Sequence, residues 1–259
     1  MSLALLNMDG AIATLSLNRA DARNALSINL LASLHHRMTE LEHAVASGGG
    51  GGGRGGGPRV AIVTGEGNSF CAGMDLKQVL GDTEAPLKLL SSLSDLCLRI
   101  RALPIPTIAA VNGAAIGGGC GLSTVTDFSI THADSKMGFP EVDLGVCPAV
   151  VAPWLVRKIG AGRARAVLLR GGLMSGAEAH AMGIVNECVG TRDELMPAVK
   201  ALADRLATGG PGALKATKGL LNELDGSLDA AIAHRAAELS AQVLATPEAQ
   251  ASLRAKLGN

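Results

Sequence analysis

The sequence has no tyrosine, a single tryptophan (Trp154) and three phenylalanines in 259 residues, so its core must be built from aliphatic side chains. It has no excess charge of either sign: 23 Lys and Arg stand against 23 Asp and Glu. No global field therefore draws it to nucleic acid or to an anionic membrane, and an anionic ligand must be met by local positive groups. It has no CxxC pair, and its cysteines, Cys71, Cys97, Cys120, Cys147 and Cys188, are an odd set with no basic-plus-apolar leader ahead of them. That usage predicts reduced thiols and a cytoplasmic or organelle-matrix location. The opening run MSLALLNMDGAIATLSLN is broken at Asp9-Gly10 before it reaches the length of a signal core or a membrane span, so no membrane association is expected. The histidines, His35, His36, His43, His132, His180 and His234, show no metal-ligand spacing and no Cys/His cluster exists, so no metal is expected.

With 47% hydrophobic and 18% charged residues, the chain folds. Its length allows one large domain or two small ones. Residues 3–7 and 12–17 flank Asp9-Gly10 and read as a hairpin. From Ser27 to Ala46, Ile28, Leu30, Leu31, Leu34, Met38, Leu41 and Val45 recur at helical spacing. Residues 48–57, all glycine except Arg54, form a low-complexity tract read as a surface loop insertion, since phosphate-cradling glycines need a strand–glycine–helix context. RVAIVTG (59–65) and PTIAAVNG (106–113) read as strands, residues 87–102 as a helix, and GGGCGLSTVTD as the start of another. Strand, turn and helix recur through FSITHA and GIVNECV, which predicts an α/β core. Helical patterns then follow without strands at 193–207, 211–222, 227–244 and 247–256, and their apolar faces must be buried on the core or on another subunit.

Three segments stand out: NSFCAGMDLK (68–77), AAVNGAAIGGGCGL (109–122) and MGFPEVDLGVCPA (137–149). Each alone is compatible with an ordinary turn, cap or loop. A dinucleotide site is excluded by spacing, because Gly117-x-Gly119 is followed by Leu122 where GxGxxG needs glycine.

In this order, and together with LNRADARNALS (17–27), SGAEAHAMGIVNECV (175–189) and PGALKATKGLL (211–221), the segments resemble the crotonase (enoyl-CoA hydratase/isomerase) superfamily over nearly the whole chain. The resemblance implies the α/β crotonase (ClpP/crotonase-like) fold of repeated ββα units. The core would span 1–192, with 48–57 as the loop insertion, and 193–259 would be a helical region for assembly into trimers or hexamers. The implied ligand is an acyl-coenzyme A thioester, coenzyme A being part of the substrate and no separate cofactor needed. By position, the backbone amides of Met74 and Gly118 would hold the thioester oxygen. Preorganised donors stabilise an enolate in this way, and a helix starting near Gly118 would add its positive end. Glu141 matches the carboxylate that exchanges a proton with the carbon α to the thioester. Arg23, Ala25, Ala72, Asp75, Lys77, Gly117 and Gly121 match positions along the coenzyme A and acyl path, although Arg23 and Lys77 fit solvated surface cations equally well.

The chain departs from the family at Gly121, where typical enoyl-CoA hydratases carry a second glutamate that helps activate water. Neither Asp127 nor Asp143 takes that role by motif. EVDLGVCPAVVAPWLVRKIG (141–160) is similar to the methylglutaconyl-CoA and isohexenylglutaconyl-CoA hydratase branch, with Asp143 where that branch commonly has a basic residue. Three readings follow: a 2-enoyl-CoA hydratase with Glu141 as acid/base, branched or carboxylated acyl chains being among its candidate substrates, first; an isomerase moving a double bond from C3 to C2 through the same single carboxylate; and a thioester-binding homologue without turnover.

Overall fold

Branched apolar residues run through VAIVTG and TIAAV, and such side chains favour extended chain because they pack well on a pleated surface. In the computed structural model, which describes residues 2–48, 56–82 and 84–257, both segments lie inside a six-stranded sheet. The first elements are β1 (Ala4–Asp9), β2 (Ile12–Leu17), α1 (Ile28–Ser47), β3 (Val60–Gly65), β4 (Ser69–Cys71) and α2 (Ala85–Ala102). Then come β5 (Thr107–Val111), β6 (Ala114–Ile116), α3 (Gly118–Val125), β7 (Phe128–His132), β8 (Lys136–Gly138), α4 (Ala152–Ile159) and α5 (Ala161–Arg170). β9 (Leu173–Ser175), α6 (Gly176–Ala181) and β10 (Glu187–Val189) precede a run of four helices, α7 (Leu195–Ala207), α8 (Pro211–Leu224), α9 (Ala230–Leu244) and α10 (Pro247–Leu257).

The ββα repeat is explicit. β3, β5 and β7 enter the sheet ordered β1-β2-β3-β5-β7-β10, while their successors β4, β6 and β8 enter a second sheet ordered β4-β6-β8-β9. After each pair the chain leaves as a helix. In the large sheet only β1 and β2 pair antiparallel. The parallel strands are buried on both faces, which explains their unbroken apolar runs. Ala61, Val63, Ala109 and Val111 face the main core, whereas Val60, Ile62, Ile108 and Ala110 pack under Leu195, Val199 and Ala203 of α7.

Two details differ from the sequence expectation. Pairing in the first hairpin continues to Asp9 opposite Ile12, so the turn residues are Gly10 and Ala11; Gly10 has φ 57°, as a turn with glycine in first place requires. The second sheet was not foreseen, because strands of three residues are too short to show a period.

The glycine tract proper, residues 49–55, lies outside the described residues. Its ends meet: a Cβ on Gly48 would run into the amide of Gly57, while the Gly48 amide donates to Ala44 O at 3.1 Å. Replacing 49–55 with a two-residue turn should therefore change stability by no more than about 1 kcal/mol, as read by urea unfolding, and leave turnover within a few-fold.

α8 is fastened to the core by Lys218, which is 8% exposed. Its Nζ donates to Asp127 Oδ2 at 2.7 Å and to Ile105 O at 3.0 Å. The same carboxylate oxygen accepts the Thr107 amide and hydroxyl, each at 2.8 Å. Burial pulls the Lys218 pKa down, and the Asp127 carboxylate opposes that pull. Lys218→Met leaves Asp127 without its principal cation and should cost about 2–4 kcal/mol of unfolding free energy, less than a fully buried pair because Asp127 is partly exposed.

Candidate functional site

β4, β6 and β8 run parallel side by side, so their carboxyl ends deliver Ala72-Gly73-Met74, Gly117-Gly118 and Pro140-Glu141 to one place. The approach is too close for side chains. A Cβ on Gly117 (φ 53°) would stand 2.8 Å from Glu141 Oε1, and one on Gly119 2.7 Å from Cys71 Cβ. Glycine alone combines that left-handed angle with that clearance.

The Gly117 amide donates to Gly138 O at 2.8 Å, which anchors the turn into α3. Met74 is held by a parallel bridge to Leu26: the Leu26 amide donates to Gly73 O at 2.7 Å and the Asp75 amide to Leu26 O at 2.9 Å. That pairing turns the Met74 amide away from Leu26. Among the described residues, neither the Met74 nor the Gly118 amide donates to a protein acceptor, and both residues line one cavity with Glu141. Gly118 is the first residue of α3, so the positive end of that helix lies at the same cavity.

Glu141 follows β8 and opens a tight turn over Val142–Leu144. Its Oε2 is buried and has no hydrogen-bond partner among the described residues. The cavity around it is mainly aliphatic, with Leu90, Leu93, Ile116, Leu144, Val146 and Val151 in its walls. Burial pushes the Glu141 pKa up from 4.5 to about 7, against a weaker pull from its own backbone amide. The carboxyl group can therefore hold or release a proton near neutrality, in a space that two free backbone donors also face.

Of the residues singled out in the sequence, Ala72, Met74, Gly117, Gly118 and Glu141 line this cavity. Gly121 does not; it lies behind Val151, which does. Asp75 forms an ion pair with Arg19 at 2.7 Å, so its carboxylate is engaged within the protein. Ala25 is half-buried beside that pair, its carbonyl accepting from Arg19 at 3.1 Å. Arg23 and Lys77 are exposed outside the cavity.

Three polar residues that position the site were not read from the sequence. Asn24, fully buried with φ 55°, accepts the Arg19 amide at 2.8 Å and donates to Glu66 O at 3.0 Å and Ser69 O at 2.8 Å. The left-handed angle, which asparagine tolerates better than most residues, joins the 19–26 segment to the strand leading into Met74. Asn112 links the ends of β3 and β5 by donating to Gly65 O at 2.6 Å. Ser240 of α9 reaches into the loop after Glu141, accepting the Ala149 amide at 3.1 Å and donating to Cys147 O at 2.8 Å. Asn24 and Asn112 stood inside segments already singled out, though neither was named there; Ser240 carried no local signal.

The enoyl-CoA hydratase/isomerase family model matches residues 7–256. The chain belongs to the enoyl-CoA hydratase/isomerase family. It is 33% identical over 222 residues to the crotonyl-CoA hydratase of Syntrophomonas wolfei, covering 85% of this chain and 81% of that one. It is 35% identical over 199 residues to the mitochondrial methylglutaconyl-CoA hydratase 1 of Pyricularia oryzae, covering 70% of this chain and 57% of that one. The crystal structure of an enoyl-CoA hydratase from Mycobacterium avium superposes with a TM-score of 0.84 at 26% identity, over 100% of this chain and 97% of that one. The crotonase α/β fold of the family is thus the fold of this chain, and the second sheet supplies the three corners of its cavity.

The raised pKa of Glu141 has a consequence for stability. The folded carboxyl binds its proton more tightly than the unfolded one, so the stability linked to it is fully present below about pH 4.5 and lost as pH rises through about 7. Glu141→Gln removes this titration. Its Tm relative to the original protein should be higher at pH 8 than at pH 5, by differential scanning calorimetry at matched ionic strength; an equal difference at both values would contradict the buried carboxyl.

Proposed function

We propose that this enoyl-CoA hydratase/isomerase family member hydrates a 2-enoyl-CoA thioester, with the Met74 and Gly118 amides holding the thioester oxygen and Glu141 as the single proton-transfer side chain. The observation that carries the reading is a carboxyl group with a pKa of about 7 in an aliphatic cavity that two unpartnered amides also face. Crotonyl-CoA and methylglutaconyl-CoA hydratases among its relatives support water addition. In this reaction protonated Glu141 gives its proton to C2 while its other oxygen takes one from the water that attacks C3. Negative charge on the thioester oxygen is stabilised by backbone donors already in place, which need no reorganisation as the charge develops.

A specific feature favours a second reading. Among the described residues lining the cavity, Glu141 is the one carboxylate. A double-bond shift needs no more: ionised Glu141 removes a proton from C2 of a 3-enoyl thioester and returns it to C4, leaving the double bond between C2 and C3.

The two reactions start from opposite protonation states. For hydration, kcat/KM should be constant below about pH 7 and fall tenfold per unit above it, whereas for isomerisation it should rise through the same pH and level off above it. Loss of the enoyl-thioester absorbance from a crotonyl-type substrate measures the first, and gain of that absorbance from a 3-enoyl substrate the second. In either case Glu141→Gln should reduce turnover by about 10²–10⁴-fold and leave thioester binding in place. Unchanged turnover in that variant would return the protein to the thioester-binding reading.

The proposal extends to assembly. Leu220, Leu221 and Leu224 on α8 are 56%, 55% and 74% exposed. We assign this apolar face to contacts in a homotrimer or hexamer, as the family resemblance implies. Multi-angle light scattering at micromolar concentration should give a multiple of three protomers; a monodisperse monomer would overturn the assignment.

A further inference from the structure

Beside α3, part of the cavity wall is formed by a side chain from another element, Val151. A Cβ built on Gly121 would stand 3.0 Å from Val151 Cβ and still closer to its Cγ1. Val151 lines the cavity and Gly121 does not, so Val151 occupies the path that any side chain at 121 would take inward. It cannot readily step aside. Val151 is 3% exposed, is β-branched and therefore stiff at χ1, and stands at the N-terminus of α4, where its carbonyl accepts the Leu155 amide at 3.1 Å. The residues just before it are clamped by Ser240, through the Ala149 amide at 3.1 Å and the Cys147 carbonyl at 2.8 Å. Among the described residues lining the cavity there is no lysine, arginine or histidine.

We infer that Val151 is a specificity-determining residue: by filling the place beside Gly121 it gives the acyl pocket an alkyl wall, keeps Glu141 as its one carboxyl group, and admits an uncharged acyl chain in preference to one bearing its own carboxylate. The inference rests on the acyl-thioester reading above. A carboxylate carried in on the acyl chain would lose its water, find no cation among the described lining residues, and face Glu141. Desolvation and like charge both oppose its entry.

Calorimetric titration at pH 8 with hexanoyl-CoA, glutaryl-CoA and free coenzyme A tests this, since the two acyl groups have similar length and differ in terminal charge. Hexanoyl-CoA should bind at least about 100-fold more tightly than glutaryl-CoA, because the desolvation of an unpaired carboxylate is only partly avoided by water entering the pocket. Equal affinities overturn the inference. If neither thioester binds more tightly than coenzyme A, the acyl-thioester reading itself fails.

Two further measurements isolate Val151. Val151→Ala opens room for water beside Gly121 and should narrow the hexanoyl-to-glutaryl preference at least about 5-fold, since a partly hydrated carboxylate recovers much of its solvation; an unchanged preference removes Val151 from the argument. Gly121→Ala should lower Tm by about 4 °C or more in the original protein and by less than half as much in the Val151→Ala background, the coupling expected of residues in direct contact. Equal losses in both backgrounds overturn the contact. Where Gly121→Ala alone does not fold, a folded Val151→Ala/Gly121→Ala protein supports it and an unfolded one counts against it.

Discussion

The site depends on how closely the first turn of α3 can approach its surroundings. Gly117 gives up a side chain to Glu141, Gly119 to Cys71 at the end of β4, and Gly121 to Val151 ahead of α4. Each contact brings in an element that a methyl group would hold off by more than the packing tolerates, since folded interiors are nearly as dense as organic crystals. What the glycines lose in conformational entropy is spread across a sheet whose three short strands end together. The helix therefore starts with bare backbone facing an aliphatic cavity, an arrangement that side chains of ordinary size would block.

Free donors and a partnerless carboxyl oxygen are costly in such a setting, because an unsatisfied buried polar group retains its desolvation penalty. The surrounding network bears that cost by fixing the backbone in advance. Asn24 and Asn112 both bind the turn that leads into β4, the Leu26 bridge fixes Met74, and Ser240 fastens the loop that follows Glu141 to α9. All four ties link segments far apart in sequence. The helical region after residue 193 is thus part of the site as well as its cover: α9 sets the position of the loop, and the Lys218–Asp127 pair on α8 secures that region to the end of α3.

How much could be read from the sequence followed the range of the interactions. Long apolar strands, amphipathic helices and the glycine motifs are local patterns, and their positions held to within a few residues. The hairpin turn shifted by one position because register is set by cross-strand pairing, which reached Asp9. β4, β6 and β8, which deliver the site, are each three residues long and have no detectable period. Gly121 was placed on the acyl path by analogy, yet what an absent side chain would face is decided by Val151, a residue of another element. Asp75 looked available until its partner Arg19 was in place.

The alkyl wall and the raised pKa of Glu141 are linked. A group that both gives and takes a proton in one turnover works best with a pKa near the working pH, because neither protonation state is then scarce. A second carboxylate could raise the pKa of Glu141 by like charge, but the pair would then titrate jointly, with one member held ionised and hydrated inside the pocket. Burial alone achieves the shift with a single group. In this chain desolvation is the main cause of the change from 4.5 to about 7. Val151 is among the aliphatic side chains of the cavity around Glu141, so in the proposed reaction the residue that excludes a second carboxylate would also help one carboxyl group serve as both acid and base.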